Sequence, residues 1–284
     1  CTSVVRLSMS ERRLPIKRLL ASAMLVVASV VGCHQLDAWP RQAIFSPEAE
    51  QKRWWREPPA GTREYDLRLA GGDTVHAWYW QSPNPDAPAV LYLHGARWNL
   101  NGSAFRMEAW TEMGYSVLAI DYRGFGKSTP TLPSQRSANE DALAALQELA
   151  RRQPDPTRRF IYGHSLGGAI AIDLASRTDA PPFAGMIVES SFTSVGAMLS
   201  TMEYGWVPGV NWLVTQPFDS LAQLATLKTP ILFIHGTADR VIPHTMSDQL
   251  YEGALAVAPT LKRLVKIEGA SHSGAVRSGA AYRD

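Results

Sequence analysis

The sequence predicts an α/β fold built on a mostly parallel central sheet with helices on both faces. Short apolar runs rich in β-branched residues alternate with helical patterns along most of the chain. Gly163-His164-Ser165-Leu166-Gly167 joins one such run, Arg159-Phe160-Ile161-Tyr162, to a helical stretch. Two further runs end in loops bearing Asp239 and His272. In an open parallel sheet, ligands bind beyond the carboxyl ends of the strands, so these side chains are expected at one rim.

Taken in order, Thr62 to Leu69 and Thr74 to Gln81 alternate polar and apolar residues around Ala70-Gly71-Gly72-Asp73, the pattern of an N-terminal antiparallel hairpin. Pro83 to Pro88 is a loop, and Ala89 to Leu93 a buried strand entering His94-Gly95-Ala96. Ser116–Ile120 follows as a strand and Ser137–Arg151 as a helix, with Ala142, Leu146 and Leu149 on one face. Phe160–Tyr162 is the next strand. The helix from Leu166 to Ser176 carries Gly168, Ala169, Ala171 and Ala175, small enough for close approach to a sheet. Strands are expected again at Met186–Ser190, after Pro230 and after Leu264. No internal repeat or low-complexity run interrupts the series.

Between Ser190 and Pro230 the alternation stops for about forty residues, longer than an ordinary connection. A functional insertion is expected there, over about 195–228, in a domain spanning 61–284. Two readings of its aromatics stand: Tyr204, Trp206, Trp212 and Phe218 either wall a substrate pocket above Ser165 or pack short helices onto the body.

The chemistry starts from the serine. Glycines flank it because the backbone doubles back so sharply that side chains would collide, leaving the hydroxyl exposed at the tip. A hydroxyl is a poor nucleophile at neutral pH, so an imidazole must take its proton and a carboxylate must fix the tautomer of that imidazole. Asp239 and His272 supply these partners. An acyl-transfer transition state also needs fixed N–H donors for its oxyanion, and by position these are the amides of Ala96 and Leu166. His94 either braces the Ala96 loop or fills space under it. His164 is read as a buried structural residue, and Asp248 and His244 as solvent-facing or capping residues at a helix start. His76, within the hairpin, has no partner evident in the sequence.

The motifs His94-Gly95, Asp121-Tyr122-Arg123-Gly124-Phe125-Gly126-Lys127-Ser128, Gly163 to Gly168, His235-Gly236-Thr237-Ala238-Asp239 and Gly269-Ala270-Ser271-His272 together resemble the α/β-hydrolase superfamily. The resemblance extends from about Thr62 to the last residue and agrees with the chain order Ser, Asp, His. It implies a small-lid serine esterase or lysophospholipase-like branch. The His-Gly-x-x-Asp setting implies Asp239 rather than Glu189 as the acid, and the Asp121–Ser128 loop takes a structural role, with Asp121 and Arg123 tying loops together. Hydrolysis of a carboxylic ester is expected, with lysophospholipid, monoacylglycerol and thioester substrates within range and no metal or organic cofactor. A peptidase or amidase on the same triad, a haloperoxidase-like or transferase activity, and a non-catalytic binding lipoprotein are the alternatives.

Composition sets the outer limits. Apolar residues make up 45% and charged residues 19%, which suits a packed domain rather than disorder. The net charge of +2 is uneven: residues 1–32 hold Arg6, Arg12, Arg13, Lys17 and Arg18 against Glu11 alone, a local +4 that leaves about −2 elsewhere. Nucleic acid is therefore not an expected partner.

The basic cluster precedes an apolar stretch from Leu19 to Val31, short for a membrane span and fitting for an export signal over 1–32. Gly32-Cys33 resembles a bacterial lipobox, although Val30 and Val31 depart from its commoner residues. The resemblance implies lipidation of Cys33, against ordinary cleavage or an uncleaved anchor, with residues 33–60 as a tether. Together with His34, it implies anchoring at the periplasmic side of an outer membrane. The other cysteine, Cys1, falls in the leader, so neither a disulfide nor cysteine chemistry is expected in the mature domain. The chain starts with Cys1, and Met9 is an expected start; only the residues after position 272 remain for a covering helix, and a shortened C-terminus is expected.

Overall fold

In the computed structural model, residues 37–48, 51–201 and 214–284 are described. The strands are β1 (Arg63–Arg68), β2 (Thr74–Trp80), β3 (Ala89–Leu93), β4 (Ser116–Ile120), β5 (Arg159–His164), β6 (Gly185–Glu189), β7 (Ile231–Gly236) and β8 (Lys262–Ile267). Residues 37–45 form α1, followed by α2 (Leu100–Glu112), α3 (Gln135–Arg152), α4 (Leu166–Ser176), α5 (Val195–Ser200), α6 (Ser220–Leu224), α7 (Thr245–Gly253) and α8 (Ala280–Arg283). The strands make one sheet in the order β1-β2-β4-β3-β5-β6-β7-β8. β2 runs antiparallel to both of its neighbours, and β3 to β8 run parallel.

Both faces of the sheet are covered, which is why every residue of β3 and β4 is buried and, Ser116 apart, the sequence there is a run of apolar and aromatic residues. Side chains alternate between the two sides. Val90 and Tyr92 face α2 through Leu100, Ala104, Met107 and Trp110. Leu91 and Leu93 join the larger core formed with α3 and α4. β3 pairs with β4 on one side and β5 on the other, so the strand order reverses beside it. The loops leaving β3 and β5 lead to helices on opposite faces and open a crevice at the carboxyl rim. α3 begins earlier than its apolar pattern implies, because Ser134 and Ser137 cap each other's backbone N–H reciprocally.

The N-terminal boundary differs from the expected one. The compact unit begins at Pro40, not at 61, so much of the expected tether belongs to the body. Phe45 is fully buried, with its ring 6.4 Å from Phe125 and 5.9 Å from Phe218. The Arg97 amide donates to the Phe45 carbonyl at 2.9 Å, the Glu48 amide to the Arg97 carbonyl at 2.8 Å, and the Arg56 amide to the Asn101 carbonyl at 3.0 Å. One phenylalanine in a polar stretch, invisible to periodicity, sets this boundary.

The lid reading changes in the same place. Phe218, expected to line a substrate pocket, is 2% exposed and packs in the main core, where burying its ring stabilises the body. Tyr204, Trp206 and Trp212 lie outside the described residues, as do Cys33 and the leader.

Phe45→Ala is expected to lower stability by about 3–5 kcal/mol, the cost of emptying a buried aromatic site. Urea unfolding with an unchanged midpoint would show that the segment is not part of the core.

Candidate active site

The turn between β5 and α4 holds Ser165 at φ 56°, ψ −120°, a backbone conformation that costs an ordinary residue about 1–3 kcal/mol. Gly163 and Gly167, two residues to either side, make room for the turn by having no side chains. A Cβ on Gly163 would sit 2.2 Å from the Gly167 carbonyl oxygen, and one on Gly167 would sit 2.0 Å from that of Leu93. The Ser165 amide donates to the Glu189 carbonyl at 2.8 Å, and the Ser191 hydroxyl donates to the Ser165 carbonyl at 2.9 Å. The tight turn is thus fixed by the end of β6, and from α4 the Gly168 amide donates to the Ser165 carbonyl at 2.9 Å.

Asp239 follows β7 and His272 follows β8, the outer parallel pair. Their loops are stitched together by the Thr237 amide on the Ile267 carbonyl and the Ala238 amide on the Ala270 carbonyl, both at 3.0 Å. The result is a hydrogen bond of 2.7 Å between His272 Nδ1 and Asp239 Oδ2. Asp239 is fully buried at its side chain, and Oδ1 accepts from the Val241 and Ile242 amides at 2.8 and 2.9 Å. Burial alone would push this carboxyl up; donation from His235 and His272, with the Ile242 amide, more than offsets it and holds it well below the usual range. A carboxylate accepting from Nδ1 fixes His272 as the Nδ1–H tautomer, which leaves the Nε2 lone pair for a proton.

The structure brings Ser165 to the same rim without closing the last link: among the described residues, Ser165 Oγ makes no hydrogen bond to His272. Catalytic contacts are often loose in the absence of substrate. The two loops meet instead through His164, the residue before the serine. Its Nε2 donates to the His272 carbonyl at 3.0 Å, and the two rings are 5.0 Å apart. Burial, then the nearby Arg106 and His272, push the His164 imidazole far below its ordinary range, so it is a neutral donor.

The expected oxyanion donors lie on two structures of different kinds. Leu166 supplies the first amide of α4, which has no acceptor within the helix. Ala96 sits in the loop after β3, where the Arg97 and Trp98 amides are engaged by the Phe45 and Ala96 carbonyls. Arg97 takes φ 73°, so this loop is also held in an uncommon conformation. His94 beneath it is completely buried and donates from Nδ1 to the Gly95 carbonyl at 2.6 Å. Burial holds that imidazole down at about 4, so at neutral pH its 3.5 Å approach to Asp121 is not an ion pair.

Asp121 itself accepts the Leu100 amide at 2.8 Å, while burial pushes its carboxyl up to about 7. Arg123 joins Asp141, Asp73 and Glu140 at 2.7, 3.1 and 2.8 Å. Glu189, the competing acid, is fully buried under Arg106, Tyr162 and Tyr282 at 2.6, 2.7 and 2.8 Å and does not face His272. Among the described residues, no group of three or more His, Cys, Asp or Glu side chains could hold a metal ion.

Sequence reasoning missed several partners. His235 Nε2 lies 3.0 Å from Asp239 Oδ2 and 3.2 Å from the Ile242 carbonyl; both are acceptors, so Nε2 carries the proton. The signal for it lies in the motif His235-Gly236-x-x-Asp239 itself, which sets the histidine four residues before the acid. His76 bridges Asp66 at 3.0 Å and Glu64 at 3.1 Å, and Asp66 is its direct cross-strand neighbour. Asp248 accepts from Lys266 at 3.1 Å, a contact between α7 and β8 that no local pattern encodes.

Residues 84–222 match a family model described as Serine aminopeptidase, S33. An uncharacterised protein of Mycobacterium tuberculosis is 33% identical over 217 residues, which is 76% of this chain and 73% of that protein. The chain belongs to the α/β-hydrolase superfamily. The lysophosphatidylserine lipase ABHD12 of Danio rerio is 32% identical over 216 residues, or 70% of this chain, which spans about half (54%) of that longer protein. In fold, this α/β-hydrolase is similar to the Pyrococcus furiosus esterase Pf2001, with a TM-score of 0.64 at 18% identity, covering 81% of this chain and 91% of the esterase. Superfamily membership makes hydrolysis its reaction class.

Because folding lowers the Asp239 carboxyl below its unfolded value near 4, the stabilisation it confers is complete above about pH 4 and drains away as pH falls further. Asp239→Asn is expected to flatten that acid limb of the stability curve. Denaturant midpoints of the two proteins between about pH 3 and 6 measure it; parallel curves would refute it.

Proposed function

We propose that this chain is a serine hydrolase acting on carboxylic esters. Ser165 Oγ attacks the carbonyl carbon while His272 Nε2 takes its proton, and Asp239 stabilises the imidazolium so formed. The amides of Ala96 and Leu166 receive the oxyanion. Collapse of the tetrahedral intermediate passes the proton from His272 to the leaving alkoxide and leaves an acyl-enzyme. Water, deprotonated by the same imidazole, then releases the acid and restores the serine.

The observation that carries the reading is the 2.7 Å bond from His272 Nδ1 to a buried, ionised Asp239, beside a serine held on a strained elbow. His235 is a positioning residue, because it holds the carboxylate oxygen that His272 shares. The esterase likeness in fold and the lipase among the relatives favour esters. The peptidase name of the matching family keeps an amidase as the second reading.

Ser165→Ala is expected to abolish fluorophosphonate labelling and to lower p-nitrophenyl ester turnover at least about a thousandfold. Undiminished turnover in that variant removes Ser165 from the mechanism. An aminoacyl-anilide cleaved faster than every ester would favour the amidase, and a folded wild type that never labels would favour a binding protein.

The same reading places the enzyme on a membrane surface, exported and lipidated at Cys33, on the strength of the basic-then-apolar leader ahead of Gly32-Cys33. Cells fed an alkynyl fatty acid are expected to tag the wild type and not Cys33→Ser. Equal tagging of both would overturn the anchor.

A further inference from the structure

A cavity of about 450 Å³ opens between the loop after β3, the loop after β8 and the segment ahead of β1, bordered among others by Arg53, Arg56, Trp98, Phe105, Ser273 and Arg277. Its position is set by the site already described. Trp98 lies two residues beyond Ala96, and Ser273 directly follows His272. Resting on the ester-hydrolase reading, we infer that this cavity is a subsite for a phosphate group carried on the alcohol part of the ester.

Charge is the first argument. None of the bordering residues is acidic, although the chain beyond its leader carries more acidic than basic side chains. Arg56 is committed to Glu108 at 2.8 Å. Arg53 and Arg277 are exposed and form no ion pair or side-chain hydrogen bond among the described residues. Arg277 is nevertheless held in place: its guanidinium carbon lies 4.4 Å from the centre of the Phe105 ring, which leaves the N–H edge of the plane unused. A planar fork with free donors suits the paired oxygens of a phosphate better than a point charge would.

Direction is the second argument. The leaving alkoxide must approach His272 to receive its proton, so the alcohol part of the substrate runs along the His272–Ser273 loop and into this cavity. The volume is ample for a glycerophosphate-sized group. The aromatic wall at Trp98 and Phe105 packs the carbon skeleton, and the arginines at the rim take the charge.

The experiment compares matched esters that differ only by phosphate: 1-butyrylglycerol against its 3-phosphate in solution, and monooleoylglycerol against its 3-phosphate in micelles. The expected preference in kcat/KM is about tenfold for the phosphate ester in both pairs, shrinking with added salt. In Arg53→Gln/Arg277→Gln the preference falls to parity while p-nitrophenyl butyrate turnover is unchanged; both side chains are exposed, so the fold is retained. As a readout free of turnover, sn-glycerol 3-phosphate is expected to slow fluorophosphonate labelling of Ser165 in the wild type, and glycerol to have no effect.

A preference confined to micelles would assign the arginines to a charged lipid surface and overturn the subsite. So would a preference that survives both substitutions, or equal protection by glycerol and its phosphate. A wild type that neither labels nor cleaves p-nitrophenyl butyrate would overturn the hydrolase reading instead.

Discussion

One carboxylate oxygen organises the candidate site. Asp239 Oδ2 receives imidazoles from two directions, His272 at 2.7 Å and His235 at 3.0 Å, while Oδ1 is held by two backbone amides. Burying an ionised carboxyl is expensive unless its lone pairs are satisfied, and four donors do so here. The arrangement also divides labour between the imidazoles. His235 is completely buried and bound to the Ile242 carbonyl as well, so it anchors; His272 is partly exposed and spends only Nδ1 on the carboxylate.

The sheet makes that meeting possible. The serine comes from the strand beside the order reversal, and the acid and the imidazole come from the last two strands on one side. Each is held by short, backbone-governed turns, because Ser165, Ala238 and Thr237 all spend amides on neighbouring strands or loops. The buried Glu189 cluster serves the same end from below. Its carbonyl receives the Ser165 amide while its side chain gathers Arg106, Tyr162 and Tyr282, tying α2, β5 and α8 under the elbow.

Much of this was legible in the sequence because the informative features are local. Alternation gave the hairpin, and continuous apolar runs gave the parallel strands; β4 and α4 coincide with their expected limits. The serine turn was legible because two glycines are sterically compulsory beside it. Features that depend on distant contacts were not. Phe45 enters the core from a polar segment, Phe218 turns inward rather than toward a substrate, and His164 meets the His272 carbonyl more than a hundred residues away. His164 was legible as a buried structural residue, but the partners of His76, His164 and His235 are ones that only folding supplies.

The bracket that Phe45 and Glu48 place around Arg97 acts as a ruler. One carbonyl and one amide, three residues apart, grip the amide and carbonyl of a single residue next to Ala96. Insertions between them would change the gauge, and the Ala96 N–H would swing with it. The spacing from Phe45 to Glu48 is therefore held to a tolerance set by the loop after β3, a constraint that acts on the backbone and not on the identity of the residues between them.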